Sequence, residues 1–76
     1  MKELVEYMAR NLVEDADAVA VTDDFDGQRH LIHLDVAPDD MGKVIGRGGR
    51  VAESMRALLK VAAARSDTRA ALDIGD

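Results

Sequence analysis

Apolar positions near the start of the chain recur at helical spacing. Val5, Met8, Ala9 and Leu12 fall on one side, Leu4 widens the stripe, and Lys2, Glu3, Glu6 and Arg10 supply a polar side. This predicts an amphipathic helix over residues 2–14. The period then shortens. Val19 and Val21 stand at strand spacing within 18–23. The dipeptide Asp26-Gly27 follows, a hairpin signal because both residue types tolerate positive φ. The return strand, 28–36, has a clean period of two. His30, Ile32, Leu34 and Val36 point one way and are expected to form the core face, with Arg29, Leu31, His33 and Asp35 on the other.

Pro38 suits the first turn of a helix, and Asp39 and Asp40 complement the positive end of its dipole. That helix is short, because Gly46-Arg47-Gly48-Gly49 stops it. A longer helix begins near Arg50 and runs to about Arg65, with Val51, Met55, Leu58, Leu59 and Ala62 as its apolar stripe. Ala70, Leu72 and Ile74 alternate as a final strand. The order is α-β-β-α-α-β. A right-handed crossover through two helices makes the second and third strands parallel, and the hairpin adds an antiparallel one. The expected class is α+β, a three-stranded mixed sheet with helices packed on one face. A chain of 76 residues is one domain, and no linker or repeat divides it.

Composition narrows the class of function. Hydrophobic residues make up 47% and charged residues 33%, which argues against disorder. Cysteine is absent, so disulfides and thiolate metal sites are excluded and a reducing cytoplasm fits. No apolar run approaches the roughly 20 residues that span a bilayer. The opening MKELVEYMARNL carries charges throughout, so neither secretion nor membrane insertion is expected. The net charge of −5 first reads against a nucleic-acid ligand. Its distribution reverses that reading. Residues 1–40 hold three basic and eleven acidic residues, whereas 41–76 hold seven basic and four acidic. Between positions 41 and 66, Glu53 alone opposes six basic residues. A locally basic surface attracts phosphate, weakly against the acidic half.

The informative segment is Val44-Ile45-Gly46-Arg47-Gly48-Gly49-Arg50. Glycines between two helices let the backbone turn sharply and approach a ligand with no Cβ in the way. The second helix then offers unpaired N–H groups and a positive dipole end. Arg47 and Arg50 add charge, so the site suits a phosphodiester backbone. Other glycine-loop chemistries fail on spacing. Five residues after Gly42 stands Arg47 where a P-loop needs Gly, and no Gly-Lys-Ser/Thr follows. A dinucleotide fingerprint beginning at Gly46 needs Gly at 51, where Val51 stands. Both motifs also join a strand to a helix.

The run Gly42-Lys43-Val44-Ile45-Gly46-Arg47-Gly48-Gly49 resembles the G-K-V-I-G-x-x-G signature of the KH domain, an RNA-binding family. The element order matches the type II, bacterial arrangement. Over nearly all 76 residues the chain resembles the KhpA family of small single-domain KH proteins, through MKELVEYMARNLV, VAPDDMGKVIGRGGR and the last strand. The resemblance implies a single type II KH domain over 1–76 that binds single-stranded RNA without catalysis or cofactor. The loop clamps the backbone of about four unpaired nucleotides beside an aliphatic groove. Carried over by position, Lys43, Val44, Ile45, Gly46, Arg47, Gly48, Gly49 and Arg50 make the RNA-binding segment. Ile45 is assigned mainly to the core and Val44 to the groove. Residues 65–69, at the place expected for the variable loop, are few, which weakens base contacts from that side. The resemblance also implies a homodimer, or a heterodimer with a larger KH-domain protein, and a part in post-transcriptional or cell-envelope regulation.

Plainer readings stand beside these. Arg56, Lys60 and Arg65, taken singly, read as a solvated helix face. With Gly27 at the sixth place of a calcium loop, the twelfth falls on His33 rather than Glu. His30 and His33 sit three apart on a strand and so face opposite sides; one is expected half-buried and one exposed, with no shared metal. No nucleophile–base pairing is visible, so catalysis is not expected. Tyr7 and Phe25, the two aromatics, lie far from the glycines, which excludes modules that stack bases and predicts low affinity for a lone domain. The competing function is a dimerisation module with RNA binding secondary, using exposed Leu31 and the flanks of the long helix, Ala57, Val61 and Ala64.

Overall fold

The amphipathic opening closes into helix α1 (Lys2–Leu12) in the computed structural model, which describes residues 1–75. Val5 and Ala9 are fully buried on its inner side. The helix stops two residues earlier than its pattern predicts. Val13 turns extended, and the next two amides bond outside the helix, to the Asp40 carboxylate. A single 3₁₀ turn (Ala16–Ala18) leads into strand β1 (Ala20–Phe25). This strand lies two residues later than expected, because the turn takes up Ala18, and Asp24 and Phe25 still pair across the hairpin with Leu31 and His30.

Strand β2 (Arg29–Asp35) returns antiparallel, with Val21 opposite Leu34. Of the turn dipeptide, Gly27 takes a positive φ of 94°. Asp26 instead uses its side chain: Oδ1 accepts the N–H groups of Gln28 and Arg29, each at 2.9 Å. Proline then starts a 3₁₀ turn (Pro38–Asp40) that runs into helix α2 (Met41–Ile45). A second such turn (Arg47–Gly49) connects it to helix α3 (Arg50–Arg65). Strand β3 (Arg69–Ile74) pairs parallel with β2, Leu72 beside Ile32, so the sheet order is β1-β2-β3. The α-β-β-α-α-β order and the mixed three-stranded sheet are those expected.

The helices cover one face of this sheet. Ile32 and Leu34 are fully buried, and Val21, Val36 and Leu72 join them against Val5, Val44, Met55 and Leu59. Leu31, on the opposite face, is exposed. His30 lies on the covered side but beyond the reach of the helices. It is half-buried rather than core, bonded to Asp23 at 2.8 Å and stacked on exposed Phe25 with ring centres 4.5 Å apart. Helix α3 also departs from its predicted stripe. Ala52, Met55, Leu59 and Ala63 are buried, whereas Leu58 is 53% exposed. The buried residues recur at spacings of three and four, so the inward stripe of α3 runs through Ala52 and Ala63 and leaves Leu58 beside it.

Candidate nucleic-acid interface

The glycine loop is built by three different backbone demands. Gly46 ends α2, its N–H bonded to the Gly42 carbonyl at 2.8 Å. Its φ of 77° and ψ of 171° lie in a region that glycine alone occupies comfortably. A Cβ there would stand 2.8 Å from both the Cβ and the amide nitrogen of Val51. Gly48 (φ 65°, ψ 18°) and Gly49 (φ 78°, ψ 12°) are both left-handed, but a Cβ on either would meet open space. Gly46 is therefore a packing requirement. Gly48 and Gly49 are conformational requirements that leave the loop's outer surface bare.

Helix α3 starts at this bare surface with no side chain capping its first amides. The Arg50 amide donates back to the Arg47 carbonyl, and the positive end of the helix dipole lies beside the loop. Arg47 and Arg50 are exposed and make no ion pair among the described residues. Glu53, the acid one turn on, is engaged by Arg56 at 3.5 Å.

Lys43 is placed otherwise. Its ammonium is held 3.1 Å from Asp40 Oδ1 and 3.2 Å from Glu14 Oε1. Hydrogen bonds to Asp40 and then Glu14 raise its pKa above the usual lysine value. The two apolar neighbours exchange the roles expected of them. Val44 is fully buried in the core, and Ile45 is half-exposed at the edge of the loop. The reason is rotational: adjacent residues on a helix point about 100° apart, and α2 turns Val44 toward the sheet.

Two residues that carry this arrangement have roles their sequence pattern does not show. Asp40 is buried, and its carboxylate accepts from the amides of Glu14 (3.2 Å) and Asp15 (3.0 Å) as well as from Lys43. It ties the end of α1 to the start of α2 rather than capping α2. The Asp15 amide chiefly, with Glu14 and Lys43 adding to it, holds its pKa below the usual carboxylate value against the opposing effect of burial. Arg56 is more than a solvated face. Its Nε donates to the Leu72 carbonyl at 3.3 Å, on the outer edge of β3. His30 and His33 each hold a separate aspartate, Asp23 and Asp73, and no cluster among the described residues could ligate a metal.

Residues 2–74 match the KH domain of the KhpA/KhpB family. The chain belongs to that family. It is 47% identical over 76 residues to the RNA-binding protein KhpA of Halalkalibacterium halodurans, with all of both chains covered. It is 46% identical over 74 residues to the RNA-binding protein KhpA of Caldanaerobacter subterraneus, covering 97% of this chain and 99% of that one. The RNA-binding protein KhpA of Treponema pallidum is 44% identical over 75 residues, with 99% and 94% covered. The KH fold expected from the glycine signature is thus that of the KhpA/KhpB family. Among the described residues no helix is long and apolar enough to cross a membrane.

Proposed function

We propose that this chain is a non-catalytic protein that binds single-stranded RNA, acting in the cytoplasm as one KH domain over residues 1–76. The supporting observation is the bare loop: left-handed Gly48 and Gly49 beside the uncapped start of α3, with Arg47 and Arg50 free. Phosphate oxygens accept from the two guanidinium groups beside the positive end of the α3 dipole. A backbone held there over about four nucleotides leaves its bases against half-exposed Ile45 and the seam between α3 and β3. Lys43, paired twice, contributes background potential more than a direct contact. The names of the KhpA relatives support the same ligand.

A second reading has its own observation. Tyr7, Leu12 and Leu58 are exposed and line one apolar groove between α1 and α3 with Met8, Val51 and Met55. Such a patch favours burial against another protein. It supports self-association, or pairing with a larger KH protein, and through the family resemblance a part in post-transcriptional or cell-envelope regulation. RNA binding and assembly are compatible readings.

The test of the clamp is Arg47→Asp with Gly48→Asp. Two carboxylates in the loop repel phosphate, and aspartate tolerates the left-handed backbone better than most residues. RNA crosslinking in cells is expected to disappear while helicity and melting stay near wild type. Unchanged RNA recovery overturns the clamp.

A further inference from the structure

The far end of α3 carries a second group of free cations. Arg29, Lys60 and Arg69 line one depression with Thr68 and Ala70, and none of the three forms an ion pair among the described residues. Arg29 and Arg69 are direct neighbours in the parallel register. Lys60 comes from the helix opposite. In a chain with five more acidic than basic side chains, three unpaired cations from three different elements border one depression.

The β3 edge that runs on from this depression exposes main-chain groups. The Gly75 amide donates inward to the Leu34 carbonyl at 2.9 Å. In a parallel strand, residues two apart present their N–H and C=O to the same side. Ala70, Leu72 and Ile74 therefore face the free edge, where Arg56 already covers the Leu72 carbonyl. Cations and free backbone donors and acceptors together suit a ligand with both phosphate and base-edge groups.

We propose that Arg29, Lys60 and Arg69 form a second phosphate-binding site that holds the same RNA strand beyond the nucleotides clamped by the glycine loop. The inference rests on the RNA reading above. Continuity favours RNA over an acidic peptide added to the β3 edge. The α3 residues that line the depression, Lys60 to Ala64, lie ten to fourteen positions beyond Arg50 at the loop, about 15–21 Å along the helix at 1.5 Å per residue. The depression and the loop share the seam between α3 and β3, with Arg56 on the β3 edge between them. Asp26 and Asp67 stand at the rim. The Asp26 carboxylate is turned onto its own turn amides, which lessens its opposition to an anion.

The test uses Lys60→Gln with Arg69→Gln, both exposed, and two single-stranded RNAs: one of about four nucleotides, the length the loop holds, and one about three times longer. Wild type is expected to bind the longer RNA more tightly, with a salt slope steeper by about −1.4 for two further phosphates. The double variant is expected to match wild type on the short RNA and to lose both the added affinity and the added slope on the long one. Circular dichroism melting checks that it folds. Equal affinity and slope for the long RNA in both proteins overturns the second site. So does retention of a poly-glutamate peptide by wild type but not by the variant, with RNA binding unaffected, which reassigns the depression to a protein ligand. Absence of wild-type binding at both lengths overturns the clamp itself, an outcome independent of the double variant.

Discussion

Gly46 and Val51 meet backbone to side chain across the glycine loop, so closely that a Cβ at 46 would lie 2.8 Å from the Val51 amide nitrogen. Gly48, two residues on, has open space at the same point. Alanine at these positions therefore separates packing from conformation. Gly46→Ala meets both a backbone penalty and overpacking, each costing about 1–3 kcal/mol. Gly48→Ala meets only the left-handed penalty, about 1–2 kcal/mol. Urea unfolding is expected to rank Gly46→Ala as the more destabilised by at least about 1 kcal/mol. Equal losses would show that the Val51 contact relaxes freely.

Asp40 predicts an acid response. Its folded pKa lies below the ordinary carboxylate value. A group depressed on folding stabilises fully above its unfolded pKa, about 3.9, and loses that contribution as pH falls through the folded value. Asp40→Asn is expected to lower the melting temperature at neutral pH and to flatten its decline below about pH 4. An unaltered acid profile in the variant would assign the transition to other carboxylates.

Arg47 and Arg50, with the positive end of the α3 dipole, offer contacts to two to three phosphates. At about −0.7 per phosphate on a single strand, log K against log salt should fall with a slope of about −1.5 to −2 for RNA of about four nucleotides. Single-stranded RNA should bind more tightly than duplex, whose base edges are hidden from the groove. Titration of both forms across a salt series checks this. Equal duplex affinity would point to a diffuse electrostatic surface.

Leu58 is 53% exposed in the groove between α1 and α3. Leu58→Glu is expected to change stability by no more than about 0.5 kcal/mol. In sedimentation, it should shift any self-association toward monomer. A dimer that persists unchanged would move the interface to another surface, with the open sheet face around Leu31 the next to examine.

The elements were legible because their periods are strong. The alternation from Arg29 to Val36 and the glycines at 46, 48 and 49 mark a strand and a helix break without help from the rest of the chain. The glycine loop was located for the same reason. What stayed hidden depends on distant partners. In a five-residue helix no stripe repeats, so the sequence does not tell whether Val44 or Ile45 faces the sheet. In α3, hydrophobicity weighs Leu58 above Ala52 and Ala63, yet the rotation of the packed helix buries the alanines and leaves Leu58 outside. Asp40 sits where a dipole-complementing acid would, and only amides 25 and 26 residues away reveal its other use. Arg56 looked solvated because its acceptor, Leu72, comes from a strand formed 16 residues later.

The parallel pairing of β2 with β3 has a consequence in time. From Arg29 to Leu34, each residue of β2 joins a partner forty positions further along, Arg29 with Arg69 and Leu34 with Ile74. The loop-closure cost of such pairings is met before the contacts reward it, which slows folding relative to helical bundles of similar size. On a ribosome, Leu72 leaves the tunnel after every other core residue. Until then Ile32 and Leu34 lack their neighbour on that side. The completed seam between α3 and β3 is therefore among the last surfaces to form, and a partly folded chain presents the glycine loop before the groove beside it exists.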